Sequence, residues 1–438
     1  MKSKFNLYAL INIISFFCVG LLGYFLFNSD FIKPDYFVCT NIVSQDFQIS
    51  NSLYTFNFPI SCDQNEYFVG FYDFNAIIFT ENAYQQRPLY IFLVFALNSI
   101  FFPLLNILGF GEIVSIYFFV IFIHIQILSL AIIMLLEVLK IKKLTYFDVA
   151  MITVLTFLHP LAKWEIFEAN NWMFTLLAII LPIYLLQKDS KVSLKGTLLF
   201  GLLFMANRSI IASFAAYILI EYIRNKNLDI KNIIKHFIIF FVPYTFYRLY
   251  FFINDLPVYD TNAKYFQQFT WIIDYFTWGG DRKYGEYFCQ RIPGFIECYL
   301  DGTFNLINYL SVPFIFSLIS GFILYKKDAP LLNGILISSF TLYAFWSFSG
   351  WYPMRFIYYS LGNLINILII YGFFRLNKNN VSKLLYATPL IIYLLFLTMW
   401  NNPVPEEFID SKYLNISFIC IIFYLLCNYK TFNQILKD

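Results

Sequence analysis

The side chains able to do chemistry in this chain are carboxylates and guanidinium groups set between long apolar runs. The stretch from 28 to 89 carries Ser61-Cys62-Asp63-Gln64-Asn65-Glu66-Tyr67, continues through Asp73 and Glu81, and closes on Arg87-Pro88-Leu89-Tyr90. Glu165, Glu168, Asn170 and Asn171 lie between two later apolar segments, Asn207-Arg208 interrupts another, and Trp351-Tyr352-Pro353-Met354-Arg355 opens a late one. A carboxylate can take the proton from an attacking hydroxyl, while guanidinium groups hold a phosphate and stabilise the charge it gains on leaving. Asp63, Glu66 and Asp73 are therefore the candidate catalytic acids. Arg87, Arg208 and Arg355, with Glu165 and Glu168, are the candidate substrate and phosphate ligands.

Each residue also has a plainer reading. A loop acid is commonly just solvated, and an Arg beside Pro can snorkel at a membrane surface. Glu165 and Glu168 are three apart, share one helix face, and suit a cap or a wet surface. Arg208 says more, because a charge inside an apolar segment is costly and usually functional. Arg355 at a helix start works mildly against the helix dipole. His124, His159 and His236 are scattered and no Cys-x-x-Cys occurs, which argues against a zinc site and leaves a divalent cation without support.

The elements that must position these groups are membrane helices. Of the 438 residues 60% are hydrophobic and 13% charged, against about a quarter charged in a soluble domain. The net charge of +3 is small and no basic tract occurs, so a nucleic-acid partner has no support. After Met1-Lys2-Ser3-Lys4, an apolar run to Phe27 is long enough to span a bilayer and lacks a cleavage site, as a retained signal anchor does. Further apolar segments lie near 90–108, 113–139, 145–162, 172–186, 195–223, 235–253, 304–325, 331–349, 355–374, 384–400 and 412–428. The predicted fold is an all-α, polytopic transmembrane bundle of about 10–12 helices, one continuous domain over 1–438.

Charge sets the sides. The loop 28–89 holds two bases against seven acids and the loop 254–303 four against seven, so both belong outside the cytoplasm. Each loop has two cysteines, Cys39 with Cys62 and Cys289 with Cys298, which suggests one disulfide per loop in an oxidising compartment. Simple alternation would put Lys140, Lys142, Lys143, Lys188, Lys191 and Lys195 outside. That conflict disappears if 90–108 lies along the outer interface and 195–223 is a broken hairpin bent at Asn207-Arg208 with both ends inside. Lys326, Lys327, Arg375, Lys378, Lys383 and Lys430 then stay cytoplasmic, as do both termini, in what reads as a bacterial inner membrane.

On these features the chain resembles the GT-C superfamily of polytopic glycosyltransferases. The likeness rests on Asp63, Glu66 and Tyr67 about twenty residues before Arg87-Pro88-Leu89-Tyr90, on Glu165 and Glu168, on Gly201-Leu-Leu-Phe-Met-Ala-Asn-Arg208, and on Pro353-Met-Arg355-Phe-Ile-Tyr358. It implies a polyprenyl-phosphate sugar as donor, a lipid-linked glycan or other exported acceptor, an acid in the first loop, interfacial helices after it, and basic residues on the lipid phosphate. The acid could map to Asp30, Asp35 or Asp63. An O-antigen or capsule polymerase or ligase is the alternative enzyme, and a transporter or lipid flippase the alternative of another class.

Overall fold

The computed structural model describes residues 4–27, 41–49, 52–60, 64–80, 85, 87–141, 144–157, 173–225, 229–258, 300–307, 310–349, 357–377 and 380–399. The elements in chain order begin with α1 (Lys4–Phe27), the strands β1 (Asn41–Ile49) and β2 (Ser52–Ile60), α2 (Gln64–Tyr72) and α3 (Phe74–Phe79). Next come α4 (Pro88–Ile107), α5 (Glu112–Val138), α6 (Tyr146–Phe157), α7 (Phe174–Asp189), α8 (Leu194–Phe204), α9 (Ile210–Asn225) and α10 (Ile230–Ile253). Last are α11 (Ser311–Ser349), a π turn over Tyr358–Gly362, α12 (Asn363–Arg375) and α13 (Asn380–Met399). Among the described residues, α4, α5, α10 and α11 are long and apolar enough to cross a membrane. Apolar helices of this kind fit an integral membrane protein.

α5 is the central helix. Its apolar window is 72% buried, against 28% for α4 and 17% for α10. α1 packs antiparallel to it: the Tyr8 hydroxyl donates to the Gln126 side chain, and the Phe16 ring lies 6.3 Å from Phe118 and 6.2 Å from Phe122. α7 runs parallel to the second half of α5, with Phe174 6.5 Å from Tyr90 at its start and Gln187 Nε2 donating to Val138 O at 3.3 Å near its end.

The segment 195–223 is a hairpin, as its mid-segment polar pair predicts. Phe200 meets both Phe214 and Tyr217, at 6.1 and 5.1 Å, and Ser193 N donates to the Tyr217 hydroxyl at 2.9 Å, so α8 and α9 lie antiparallel. Met205 to Ser209 form the bend, where Asn207 Oδ1 accepts from Ser209 N at 2.7 Å and covers the start of α9. α10 then runs alongside α8 in the same direction, from Thr197–His236 (2.7 Å) to Phe204–Tyr244 (5.7 Å). This approach is so close that a Cβ on Gly201 would sit 2.3 Å from the Phe240 carbonyl oxygen. α11 is likewise two helices, broken at Asp328, whose Oδ1 accepts from Leu331 N at 3.1 Å.

Lysines gather at one end. Lys140 Nζ meets Asp328 Oδ2 at 3.2 Å, Arg375 donates to Leu139 O at 3.4 Å, and Lys383 pairs with Asp148 at 2.5 Å. The first of these pairs is exposed and contributes little. The third is buried: Asp148 also accepts from Thr145 N at 2.9 Å while Thr145 Oγ1 accepts from Asp148 N, a reciprocal cap that starts α6. At the opposite end Gln85 Nε2 lies 2.9, 2.7 and 2.9 Å from the carbonyl oxygens of Ile77, Thr80 and Pro257, which ties the first loop to the segment after α10.

Two features depart from the sequence reading. Among the described residues the body is helical, as predicted, with four candidate spans, but the first loop also holds an antiparallel strand pair, registered from Asn41↔Ile60 to Ile49↔Ser52. The helix α4, predicted to lie flat along the interface, stands antiparallel to α5. Tyr90 binds His124 at 2.9 Å and Ser115 Oγ donates to Asn98 Oδ1 at 2.7 Å. A turn with Gly109 at φ +87° then reverses the chain, with Phe110 N bonded to Leu105 O. Paired polar groups on an otherwise apolar face fix this orientation, because leaving them unpaired there is costly. α4 begins beside the middle of α5 and ends at its start, so the chain enters and leaves it in the same half.

Candidate functional site

The site grows from the N-terminus of α4. Pro88 at the first helical position needs no hydrogen bond there, and Arg87 takes the cap position with a non-helical backbone. Its side chain turns inward and is only 7% exposed. Nη1 donates to the Tyr67 hydroxyl, and the guanidinium carbon lies 5.8 Å from the Tyr67 ring centroid. Among the described residues Arg87 forms no ion pair with a carboxylate. A guanidinium carries five donors and cannot be neutralised, so burial without an anion leaves strong binding capacity unused.

Aromatic packing holds the group. Tyr67 and Tyr90, 2% and 0% exposed, meet edge to face at 6.4 Å, and Phe71 packs against both. The Tyr90 hydroxyl reaches His124 Nε2 at 2.9 Å, and His124 is fully buried in α5. Leu89 N donates to Met205 O at 3.2 Å, which sets the start of α4 against the hairpin bend. The segments Glu66-Tyr67, Arg87 to Tyr90 and Met205 to Arg208 thus meet at the middle of α5, beside the start of α7. At the far end of α2, burial and then the Glu112 carboxylate push the Tyr72 hydroxyl above its ordinary range.

The sequence candidates fall into four groups. Arg87 lies at the centre, and half-buried Arg208 sits in the adjoining bend, its carbonyl accepting from Ile211 N. Asp73 is exposed and caps α3, its Oδ1 accepting from Asn75 N at 2.9 Å, so its carboxylate is occupied by a helix end. Glu66 is on α2, one residue before Tyr67. Asp63, Glu165, Glu168 and Arg355, and the cysteines Cys39, Cys62, Cys289 and Cys298, lie outside the described residues. Among the described residues no three His, Cys, Asp or Glu side chains group as a metal site would need.

Two members of this constellation were not singled out from sequence. His124 looked like one of three scattered histidines; its signal is a polar ring inside a 27-residue apolar helix, where such groups seldom lack a partner. Gln85 carries no motif, and only its neighbours in space give it meaning. No family model, curated protein or solved structure matches the chain.

Proposed function

We propose that the protein is a membrane glycosyltransferase of GT-C type, moving one sugar from a polyprenyl-phosphate donor onto a lipid-linked glycan or other exported acceptor. The observation that carries this reading is Arg87: a buried guanidinium with no carboxylate partner among the described residues, joined to the first-loop Tyr67 and packed beside the hairpin bend. In the proposed reaction the acceptor hydroxyl attacks the anomeric carbon and the bond from that carbon to the phosphate oxygen breaks. The hydroxyl proton passes to a first-loop carboxylate, Asp63 or Glu66, and the phosphate leaves with its lipid. Arg87 and Arg208 stabilise the charge gathering on that phosphate. Glu165, Glu168 and Arg355 would complete the substrate side. The lysine-rich end then faces the cytoplasm of a bacterial inner membrane with both termini, and the two loops face an oxidising compartment where Cys39–Cys62 and Cys289–Cys298 form.

The test is transfer from a radiolabelled polyprenyl-phosphate sugar in proteoliposomes. Product that disappears in R87Q and in a D63N/E66Q double variant supports the reading, and full transfer by both would overturn the site assignment. Extension by many sugars instead of one would indicate a polymerase. The bend between α8 and α9 favours a second reading as a transporter or flippase, since broken helices in such proteins aim their ends at the substrate. Uptake of a polyprenyl-phosphate sugar with no covalent product would select it.

A further inference from the structure

A second feature lies at the C-terminal end of α10. Arg248, Phe251, Phe252, Asp255, Leu256 and Val258 line an open recess of about 440 Å³. Arg248 has one buried nitrogen, Nη1, without a hydrogen-bond partner, and its guanidinium carbon lies 5.9 Å from the Tyr244 ring centroid. The Tyr247 hydroxyl, whose ring packs on Phe251 at 4.9 Å, is a second buried group without a partner.

Asp255 lines the same recess, yet no salt bridge joins it to Arg248. It occupies the position just past the helix cap, with φ +47°, while Leu256 N closes the helix end on Phe251 O at 3.0 Å. Glycine is the usual residue for that backbone geometry. The chain thus places a carboxylate at a position that favours glycine, exposed in the wall of a recess that Arg248 also lines without pairing to it. Beside it the outer face of α10 is apolar and bare, with Phe252 79% and Ile253 68% exposed. Those features suit a ligand with an anion for Arg248, a cation for Asp255 and a hydrocarbon tail for the helix face.

We infer that this recess binds a zwitterionic phosphodiester lipid of the phosphatidylethanolamine type, its phosphate on Arg248, its ammonium on Asp255 and an acyl chain along α10. Asp255 would repel the second charge of a phosphate monoester or a free phosphate, so the phosphodiester form is selected. The test uses the full-length protein, delipidated in a neutral maltoside detergent and titrated with phosphatidylethanolamine, phosphatidylglycerol or inorganic phosphate, with bound lipid counted by native mass spectrometry. The expected result is phosphatidylethanolamine bound about tenfold more tightly than phosphatidylglycerol, with millimolar inorganic phosphate unable to displace it. R248Q is expected to weaken both lipids by about tenfold or more, R248K to restore part of that, and D255N to erase the preference while leaving phosphatidylglycerol within about threefold. Lipid binding unchanged in R248Q, equal affinities for the two lipids in the parent, or displacement by inorganic phosphate would each overturn the assignment. D255G relieves the backbone and retains the helix end, so its loss of preference separates ligand binding from folding.

Discussion

Arg87 donates to the hydroxyl of Tyr67, 20 residues earlier in the chain, and both side chains are buried. This bond joins the end of the first loop to the start of α4, so the acid-bearing helix α2 and the arginine are held in fixed relation. It also explains why a cation tolerates so little water: part of its donor capacity is met by the phenol hydroxyl.

If Arg87 holds the leaving phosphate, R87Q lowers transfer turnover by about 100-fold or more and Y67F by about tenfold, with donor binding falling alongside. Steady-state transfer assays check both, and superimposable thermal unfolding profiles show that neither effect comes from lost fold.

The buried pair of Asp148 and Lys383, with side chains 1% and 12% exposed, links α6 to α13. K383M leaves the carboxylate without its cation and is expected to destabilise the protein by about 3–5 kcal/mol. The double variant D148N/K383M recovers most of that loss, measured as apparent melting temperature in detergent.

Tyr90 and His124 hold α4 upright. Y90F removes the hydroxyl from a fully buried imidazole and is expected to destabilise by about 1–3 kcal/mol. A cysteine pair at positions 98 and 115, facing each other in place of Asn98 and Ser115, crosslinks readily in the parent background and more slowly with Y90F.

Gly201 lets α8 approach the backbone of α10. G201A introduces a Cβ against the Phe240 carbonyl, and overpacking of this kind destabilises by about 1–3 kcal/mol. G20A, where nothing lies within 4 Å of the added atom, is the matched control and is expected to be neutral.

Much of the helical plan was legible because the relevant signals are local and costly to misplace. Asn207-Arg208 in an apolar run marked a bend, and the bend is there. Lys140, Arg375 and Lys383 were grouped by charge alone, and the contacts to Asp328, Leu139 and Asp148 bring them to one end. The strand pair was missed, although Tyr54, Phe56 and Phe58 alternate with Thr55 and Asn57, because the aromatic-rich composition masked that period. The orientation of α4 was not legible, because Asn98 and His124 find Ser115 and Tyr90 only through tertiary packing. Asp73 looked as reactive as its neighbours; an Asp one residue before a short helix is also a cap, and no spacing rule separates the two roles.

The opposition of the two ends is tested most directly by single cysteines at positions 191 and 257 in a background whose native cysteines are replaced by serine. Sealed right-side-out vesicles are treated with a membrane-impermeant maleimide. The expected result is labelling at 257 in intact vesicles and at 191 only after permeabilisation. Labelling of both positions in intact vesicles, or of neither, would contradict a site facing away from the lysine-rich end.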